Sequence, residues 1–377
     1  EGIVGKCDGL GRALAPRFAP GDRDALLEAA PKAAKALDSY RDWLREGRPT
    51  MAGVVPIGKE KYDWMLRRIL MMPFASDELV AMATEDWRRA EVFEAYENHR
   101  NAATAALSIA ASIEEQQRRA VEADDKVRRF LVERHILDVP DWMPRFRLAP
   151  LPDYLDVFSF GAEIQMFSPS DPTADFVRFI RPPTPDLGFW GRILATDPRP
   201  VVVHEGIPGH AFHLRLIDRH PNPIRRHHYD GGLVEGIGTY VEEMLLQQGL
   251  FDDEPELRRA IYQMLKLRAL RVILDVNVST GRFSIEDGAR FLSANVPMDY
   301  PTAFEEANWA AATPGQNATY FAGKAAIMRL LVQTRQAEGD RFDLHDFHTR
   351  LWGAGGVPAT LLRWEWLGQD ADVRGLW

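Results

Sequence analysis

The sequence contains a single cysteine, Cys7, among 377 residues. One thiol excludes an internal disulfide framework, so cysteine usage leaves the cellular compartment open. We expect a cytoplasmic location, with a secreted or periplasmic one as the alternative if a signal preceded Glu1 and was removed. No apolar run reaches the ~18 residues that suggest a transmembrane helix, and no fixed-period repeat suggests a solenoid.

An excess of basic residues is also missing. Lys and Arg total 46 against 55 Asp and Glu, which gives a formal net charge of −9. Because a nucleic-acid-binding protein usually neutralises phosphates with a basic face, we expect no nucleic-acid partner. The hydrophobic fraction of 46% is sufficient for a sizeable buried core. The sequence does not define an oligomeric state.

Helical periodicity dominates the first part of the chain, roughly residues 1–140, which we predict as a helical lobe. Acidic residues followed by apolar residues three and four apart predict helices that begin near Asp22 and Asp77. The stretch Ala102 to Phe130, rich in Ala, Glu, Gln and Arg, predicts another long helix.

Prolines become frequent between Pro140 and Pro200, where loops and short strands replace long helices. Within this region, 156–167 and 174–180 are rich in Phe, Val and Ile, and we predict that they form a hairpin. Helical periodicity then continues nearly to the end of the chain. We therefore predict a mostly α protein with one small antiparallel β-sheet. Residues 1–377 form a single catalytic domain in this prediction, with the sheet and a second helical lobe in roughly 141–377.

The strongest chemical signal is the segment 201–213, Val-Val-Val-His-Glu-Gly-Ile-Pro-Gly-His-Ala-Phe-His. A His-Glu pair with a second His downstream is the signature of zinc peptidases, in which two imidazoles hold the ion and the Glu accepts a proton from water. We therefore predict His204 and His210 as metal ligands and Glu205 as the catalytic base. The alternative for both histidines is an ordinary structural role beside a turn.

The spacing of the two histidines departs from the usual one. His204 and His210 are six residues apart rather than four, and on a regular α-helix that separation turns the side chains about 120° away from each other. Proline and glycine at Pro208 and Gly209 predict a local break that brings His210 back to the face of His204.

A third ligand is expected, because catalytic zinc usually has three protein ligands and an open position. Glu235 follows His210 by 25 residues and begins the segment Glu-Gly-Ile-Gly-Thr-Tyr-Val-Glu-Glu. Gly236 and Gly238 leave room for close approach of the metal-binding helix. The alternative for Glu235 is a carboxylate that interacts with a helix N-terminus, and the paired Glu242 and Glu243 are predicted to be solvated or to lie behind the ligands.

These segments resemble a known family. His-Glu-Gly-Ile-Pro-Gly-His at 204–210 and Glu-Gly-Ile-Gly-Thr-Tyr at 235–240 are similar to His-Glu-Ala-x-Pro-Gly-His-His and Glu-Gly-Trp-Ala-x-Tyr of the bacterial domain-of-unknown-function family 885 (DUF885). Segments 313–324 and 347–358 extend the resemblance over most of the chain. The family is related to the gluzincin peptidases, including angiotensin-converting enzyme, thimet oligopeptidase and carboxypeptidase Taq.

The resemblance implies a large helical gluzincin-like fold with a deep active-site cleft and the small sheet at its rim. It also implies that Tyr320, in Pro-Gly-Gln-Asn-Ala-Thr-Tyr, donates a hydrogen bond to the oxyanion of a tetrahedral intermediate. A buried structural tyrosine is the alternative. Gln316 and Lys324 of the same segment are candidate substrate-binding residues, and Lys324 could equally be exposed to solvent.

Two departures from the family pattern bear on the substrate. The second ligand is followed by Ala211-Phe-His213 rather than His-Leu-Gln, and Ser279 replaces a His. His213 is a candidate groove-lining residue or a residue behind the ligands. His345 and His348 are predicted on a helix surface.

The resulting hypothesis is a zinc-dependent hydrolase, most simply a metallopeptidase or carboxypeptidase-like amidase acting on a small peptide or small amide. The alternative is a metal-dependent enzyme dedicated to a small metabolite, through non-peptide hydrolysis or other Lewis-acid chemistry. A binding protein with a vestigial site is a third reading, against which the intact Glu205 argues. One Zn²⁺ ion is expected, although two His and one carboxylate also suit manganese, cobalt or iron.

Overall fold

The computed structural model describes residues 3–51, 53, 55–155, 165–166, 171 and 173–375. The chain divides into two compact units. The first comprises Glu1–Val55, Arg147–Phe167 and Val177–Pro182, and the second comprises Pro56–Phe146, Ser168–Phe176 and Pro183–Trp377.

The first unit contains two packed helices, α1 (Ile3–Leu14) and α2 (Pro20–Gly47), and most of a small sheet. Its strands are β1 (Phe146–Pro150), β2 (Gln165–Met166) and β3 (Phe176–Ile180), in the order β1-β3-β2. The amide of Phe176 donates to the carbonyl of Arg145, and the amide of Leu151 donates to the carbonyl of Ile180. In the second bond both residues lie further along the chain than in the first, so β1 and β3 run parallel.

The prediction of an antiparallel sheet is therefore wrong for the pair of longer strands. Among the described residues, the two-residue strand β2 alone runs antiparallel to β3, with Gln165 opposite Arg178 and Met166 opposite Val177. Most of the first predicted strand, 156–167, lies outside the described residues. The prediction failed because it considered only a local hairpin, whereas β1 lies before the predicted hairpin and pairs through a long connection.

The second unit is helical. Its helices are α3 (Lys59–Arg68), α4 (Ser76–Arg100), α5 (Ile113–Glu133), α6 (Phe189–Thr196), α7 (Arg199–Val201), α8 (His210–Asp218), α9 (Pro223–His227), α10 (Gly231–Gln248), α11 (Pro255–Ser279), α12 (Ile285–Asn295), α13 (Tyr300–Ala312), α14 (Gln316–Glu338), α15 (Leu344–Trp352), α16 (Ala359–Leu367) and α17 (Ala371–Arg374). The mostly α prediction is confirmed. In the described part of the chain, no helix has the length and hydrophobicity needed to cross a lipid bilayer, in agreement with the sequence.

Helix α11 lies at the centre of this unit and packs against α4, α12, α13 and α14, while α10 packs against α14. Most faces of α11 are buried, so neighbouring helices must cover it on several sides. Its Leu274 packs in a cluster with Leu292 and Ala307, and its Val272 joins a second cluster with Leu79.

The predicted helix starts near Asp22 and Asp77 are confirmed by α2 and α4. The predicted helix from Ala102 to Phe130 begins later, at Ile113, because the Ser112 side chain accepts a hydrogen bond from the amide of Glu115 and caps α5. The prediction that His348 lies on the surface is wrong, since its side chain in α15 is fully buried.

The start of α14 is fixed by a carboxylate from α11. Asp275 is fully buried and accepts hydrogen bonds from the amides of Gly315, at 2.9 Å, and Ala318, at 3.1 Å. Gly315 has a φ of +86°, which glycine adopts without steric cost. Burial raises the pKa of Asp275 to about 6, although these amides oppose the shift. Asp275 therefore holds the N-terminus of α14 against α11.

Replacing this carboxylate tests its structural role. We expect Asp275→Ala to lower the free energy of unfolding by roughly 2–4 kcal/mol, because two buried amides lose their acceptor. Denaturant unfolding followed by circular dichroism measures the change. Asp287→Ala is the matched control, since Asp287 also accepts a hydrogen bond from a backbone amide at a helix N-terminus but is exposed with its partner Ser284, and we expect about 1 kcal/mol or less. Equal losses in both variants would contradict the role of Asp275.

Candidate metal centre

Two histidines and one glutamate converge in the second unit. His204 lies in a π-helical turn (Val202–Gly206), His210 is the first residue of α8, and Glu235 lies near the start of α10. Nε2 of His210 is 3.2 Å from Oε2 of Glu235, and Nε2 of His204 is 3.8 Å from the same oxygen. The three ligand atoms lie within 4.8 Å of one another, and all three side chains are buried. The structure thus brings together the three predicted ligands.

The six-residue spacing is accommodated by a change of helix type followed by a break. The amide of Ile207 donates to the carbonyl of Val202 at 2.9 Å, which closes the wider π turn around His204. The backbone is extended at Ile207, and α8 starts at His210. Trp352 Nε1 donates to the carbonyl of Pro208 at 2.6 Å. The helix is interrupted at the Pro-Gly pair, as the sequence predicts.

Glycines allow His204 to occupy this position. A Cβ at Gly209 would lie 1.8 Å from the carbonyl oxygen of His204, and a Cβ at Gly238 would lie 2.6 Å from Cε1 of its ring. Gly236 has a different neighbour, because a Cβ there would meet Gly323 of α14 at 2.6 Å. The absence of a side chain at Gly238 therefore allows the close approach of the His204 ring, as expected. The absence of one at Gly236 allows the close approach of α14 instead.

The other face of His204 contacts a buried carboxylate. Oε1 of Glu242 is 2.7 Å from Nδ1 of His204 and accepts a hydrogen bond from Arg268 at 2.9 Å. Although burial favours the protonated form, Arg268 and His204 lower the pKa of Glu242 to about 2. An ionised carboxylate on one ring nitrogen orients the other for metal binding, as in many zinc sites. The sequence predicts Glu242 either to be solvated or to lie behind the ligands. It is buried and lies behind His204.

The donor set fits a divalent ion. Glu235 Oε2 and His210 Nδ1 are buried, and neither has a hydrogen-bond partner among the described residues. Burial opposes ionisation of Glu235, but the neighbouring His210 and His204 hold its pKa below the usual value. A buried oxygen of an ionised carboxylate that lacks a hydrogen-bond donor is costly, and a cation would compensate its charge. Two imidazoles and one carboxylate are the ligands of many catalytic zinc sites.

Glu205, the predicted base, precedes Gly206 in the π turn and is only half-buried, unlike its neighbour His204. Burial, the largest effect, lowers the pKa of His210 and raises the pKa of Tyr320, and the Glu235 carboxylate raises both. The charge of Glu205 makes a smaller contribution that also raises both pKa values. Its carboxylate is therefore close to the ligands while remaining accessible from solvent.

Tyr320 of α14 lies beside the same centre. Its ring stacks on the His204 ring, with centroids 6.2 Å apart and planes 11° apart. Burial, followed by the charge of Glu235, raises the pKa of Tyr320, so the hydroxyl stays protonated at neutral pH. The guanidinium groups of Arg268 and Arg271 lie 4.8 and 4.7 Å from the ring centroid.

The predicted substrate-binding residues have different locations. Gln316 begins α14, one turn before Tyr320, and is half-buried, and its role stays a prediction. Lys324 is buried with Nζ 2.8 Å from Asp86 and 2.9 Å from Glu243. Because both carboxylates already bind this ammonium group, the structure gives no support for the predicted substrate contact or for solvent exposure.

His213 is also unavailable to a substrate at the protein surface. Its side chain has no exposed area, and neither ring nitrogen has a hydrogen-bond partner in the described ranges. Burial, with a smaller contribution from His210, lowers the pKa of His213 to about 3, so the ring stays neutral. The structure offers no route by which this side chain would line a groove.

Sequence reasoning missed the arginines and one tyrosine near the centre. Arg268 and Arg271 stand three residues apart among apolar residues of α11. This placement is the signal in the sequence, but their need for a partner follows only from their burial. Tyr229 precedes α10 without any motif. Partial burial, with the charges of Glu235, Asp230 and Glu205, raises its pKa to about 12.

Comparison with known proteins gives a family but no activity. The model of a family described as "Bacterial protein of unknown function (DUF885)" matches residues 8–365. The chain belongs to this family. No curated protein matches the chain.

Two solved structures resemble this member of DUF885. One is described as a "putative lipoprotein of unknown function" from Shewanella oneidensis, with a TM-score of 0.72 and 18% identity over 92% of this chain and 67% of that chain. The other is the "putative lipoprotein" from Colwellia psychrerythraea, with a TM-score of 0.76 and 15% identity over 94% of this chain and 65% of that chain. The chain thus spans about two thirds of their length, and the likeness establishes the fold alone.

Glu242 offers a direct test of the support for His204. We expect Glu242→Gln to weaken zinc binding by about 10–100-fold, because the ring loses its charged partner. Competition with a chromophoric chelator measures the dissociation constant. Glu243→Gln is the matched control, since the adjacent Glu243 is also buried but binds Lys324 and Arg89 instead of a ligand. Wild-type zinc affinity in Glu242→Gln would contradict this role.

Proposed function

We propose that this protein is a zinc-dependent hydrolase of the gluzincin type, acting on a peptide or a small amide. One observation carries the proposal: His204, His210 and Glu235 converge in a buried cluster whose first ligand is followed directly by Glu205 and stacked on Tyr320. This combination supplies a metal site, a base and a proton donor within one small region. The deep cleft and the single catalytic domain remain predictions.

His204, His210 and Glu235 would hold the ion. A zinc ion bound there would polarise the scissile carbonyl and lower the pKa of a water molecule. The buried location strengthens electrostatic interactions with reacting groups, because little solvent screens them.

Glu205 is the proposed general base. Its carboxylate would accept one proton from the attacking water as the new carbon–oxygen bond forms. It would then deliver that proton to the nitrogen of the leaving amine as the carbon–nitrogen bond breaks. Partial exposure suits this task, since the base must meet water and substrate while the ligands stay buried.

Tyr320 is the proposed donor to the oxyanion. Its raised pKa keeps the hydroxyl protonated, so the group can donate when negative charge develops on the former carbonyl oxygen. Arg268 and Arg271 lie close to its ring, and their positive charges favour negative charge in this region.

The gluzincin assignment rests on the resemblance of the His-Glu and Glu-Gly segments to that group of peptidases. Trimming from a free carboxyl end, as in related carboxypeptidases, would require a cation for the substrate carboxylate. Lys324 cannot provide one while it binds Asp86 and Glu243. We therefore propose amide hydrolysis without assigning an exopeptidase preference.

A dedicated small-metabolite enzyme remains the alternative proposal. The sequence motivates this alternative because His213 and Ser279 depart from the family pattern at positions expected near the substrate. Both side chains are buried, and Ser279 donates to Asp275 at 3.2 Å. Because neither reaches solvent, these departures carry less weight for substrate choice than the sequence suggested.

The base is tested by Glu205→Gln. We expect turnover to fall by about 10²–10⁴-fold, because the amide cannot accept the proton, while zinc content by elemental analysis stays at the wild-type level. Rates are measured on a panel of peptides, small amides and esters. Glu60→Gln, at an exposed position of α3, is the control for loss of a carboxylate. Unchanged turnover would refute the mechanism, and turnover of small molecules alone would refute the peptidase assignment.

The oxyanion donor is tested by Tyr320→Phe. We expect kcat to fall by about 10²–10³-fold with KM little changed, because the hydroxyl acts mainly in the transition state. Steady-state kinetics on the best substrate measure both parameters. Tyr96→Phe, at an exposed position of α4, removes a hydroxyl far from any assigned role and should leave kcat unchanged. A wild-type kcat in Tyr320→Phe would leave Tyr320 as a structural residue.

A further inference from the structure

A second group of metal-ligating side chains lies at the end of α5 and the start of α15. His135, Asp343 and His345 each offer a ligand atom, and these atoms all lie within 4.8 Å of one another. We propose that this group, the α5–α15 cluster, is a binding site for a divalent transition-metal ion such as Zn²⁺. It shares no residue with the His204 centre, and it does not depend on the proposed hydrolase function.

The donor types match those of a zinc site. The rings of His135 and His345 stack with centroids 4.2 Å apart and planes 4° apart. Nε2 of His345 is buried and has no hydrogen-bond partner in the described part of the chain, yet it lies 3.3 Å from Oδ1 of Asp138. Two imidazoles with one or two carboxylates suit zinc. Because His135 is exposed, its side chain can turn so that both rings aim at one ion.

The local charge favours a cation. Asp138 lies beside His345, and Asp346 has a carboxylate oxygen 3.8 Å from the other ring nitrogen of His345. With Asp343, three carboxylates therefore surround two histidines. A bound dication would compensate the charge of these carboxylates.

The backbone also directs His135 into the cluster. Helix α5 ends at Glu133, and His135 has a φ of +52°, in the left-handed region. The next residue, Ile136, is tied to α15, since its carbonyl accepts a hydrogen bond from Nδ1 of His348 at 2.9 Å. His345 lies one turn before His348 in α15. The bond between Ile136 and His348 therefore holds His135 opposite His345.

An ion at the α5–α15 cluster would stabilise the position of α15, which contacts segments of the His204 centre. His348 of α15 pairs through Nε2 with the hydroxyl of Tyr240 in α10, at 2.8 Å. Trp352, at the end of α15, donates to the carbonyl of Pro208 just before the ligand His210. The expected role of the ion is therefore structural, as a link between the end of α5 and α15.

Metal counting in the intact protein tests the proposal. The protein is freed of metal with a chelator, equilibrated with ZnCl₂, separated from free ions and analysed for zinc. We expect the double variant His135→Ala/His345→Ala to bind one equivalent fewer than the wild type. His227→Ala removes an exposed histidine outside both sites and should bind as much zinc as the wild type. Because the readout is a difference, it holds whether or not the His204 centre binds zinc.

Thermal unfolding with and without ZnCl₂ gives a second readout. Ligands that bind the folded state raise its unfolding temperature, so zinc should raise that of the wild type more than that of the double variant. Equal zinc equivalents in wild type and double variant would overturn the proposal. An equal loss in His227→Ala would also overturn it, because the zinc would then be bound non-specifically to surface histidines. Loss of turnover in Glu205→Gln tests the proposed function separately.

Discussion

Helix α10 carries three glutamates into the interior, and the arrangement around it depends on compensating their charges. Each buried carboxylate faces a different cationic or metal-ligating partner. The pairs are Glu235 with His210, Glu242 with Arg268, and Glu243 with Lys324. An unpaired buried charge would be strongly destabilising, so the helices that bring these partners are constrained in position. Among the described residues, Oε2 of Glu235 has no hydrogen-bond donor and is the carboxylate oxygen of this set that faces both candidate histidine ligands.

Much of the centre could be predicted because its signals are local. The His-Glu pair, the Pro-Gly break and the Glu-Gly segment each lie within a few residues, and their chemistry limits what they can do. The support behind His204 was harder to predict, because Arg268 comes from another helix and reveals its role only when its burial is known. Lys324 shows the same limit: its spacing from Tyr320 suggested a shared face, but its side chain binds Asp86 and Glu243 instead.

The fold was predictable where one periodic segment determines an element and unpredictable where distant segments decide. Helices α2 and α4 followed from their acidic starts and apolar spacing. The parallel pairing of β1 with β3 did not, since parallel strands lack the short turn that identifies a hairpin. The burial of His348 likewise depends on Ile136 and Tyr240, which lie far away in the sequence.

The hydrogen bond from Trp352 to the carbonyl of Pro208 joins residues 144 positions apart. All three candidate ligands precede it in the chain, so a ribosome completes His204, His210 and Glu235 well before it reaches Trp352. The turn that aims His210 at its neighbours therefore lacks this support until Trp352 has been synthesised. Assembly of the centre in its final form consequently waits for the segment that carries Trp352, and loss of that segment would impair a site to which it contributes no ligand.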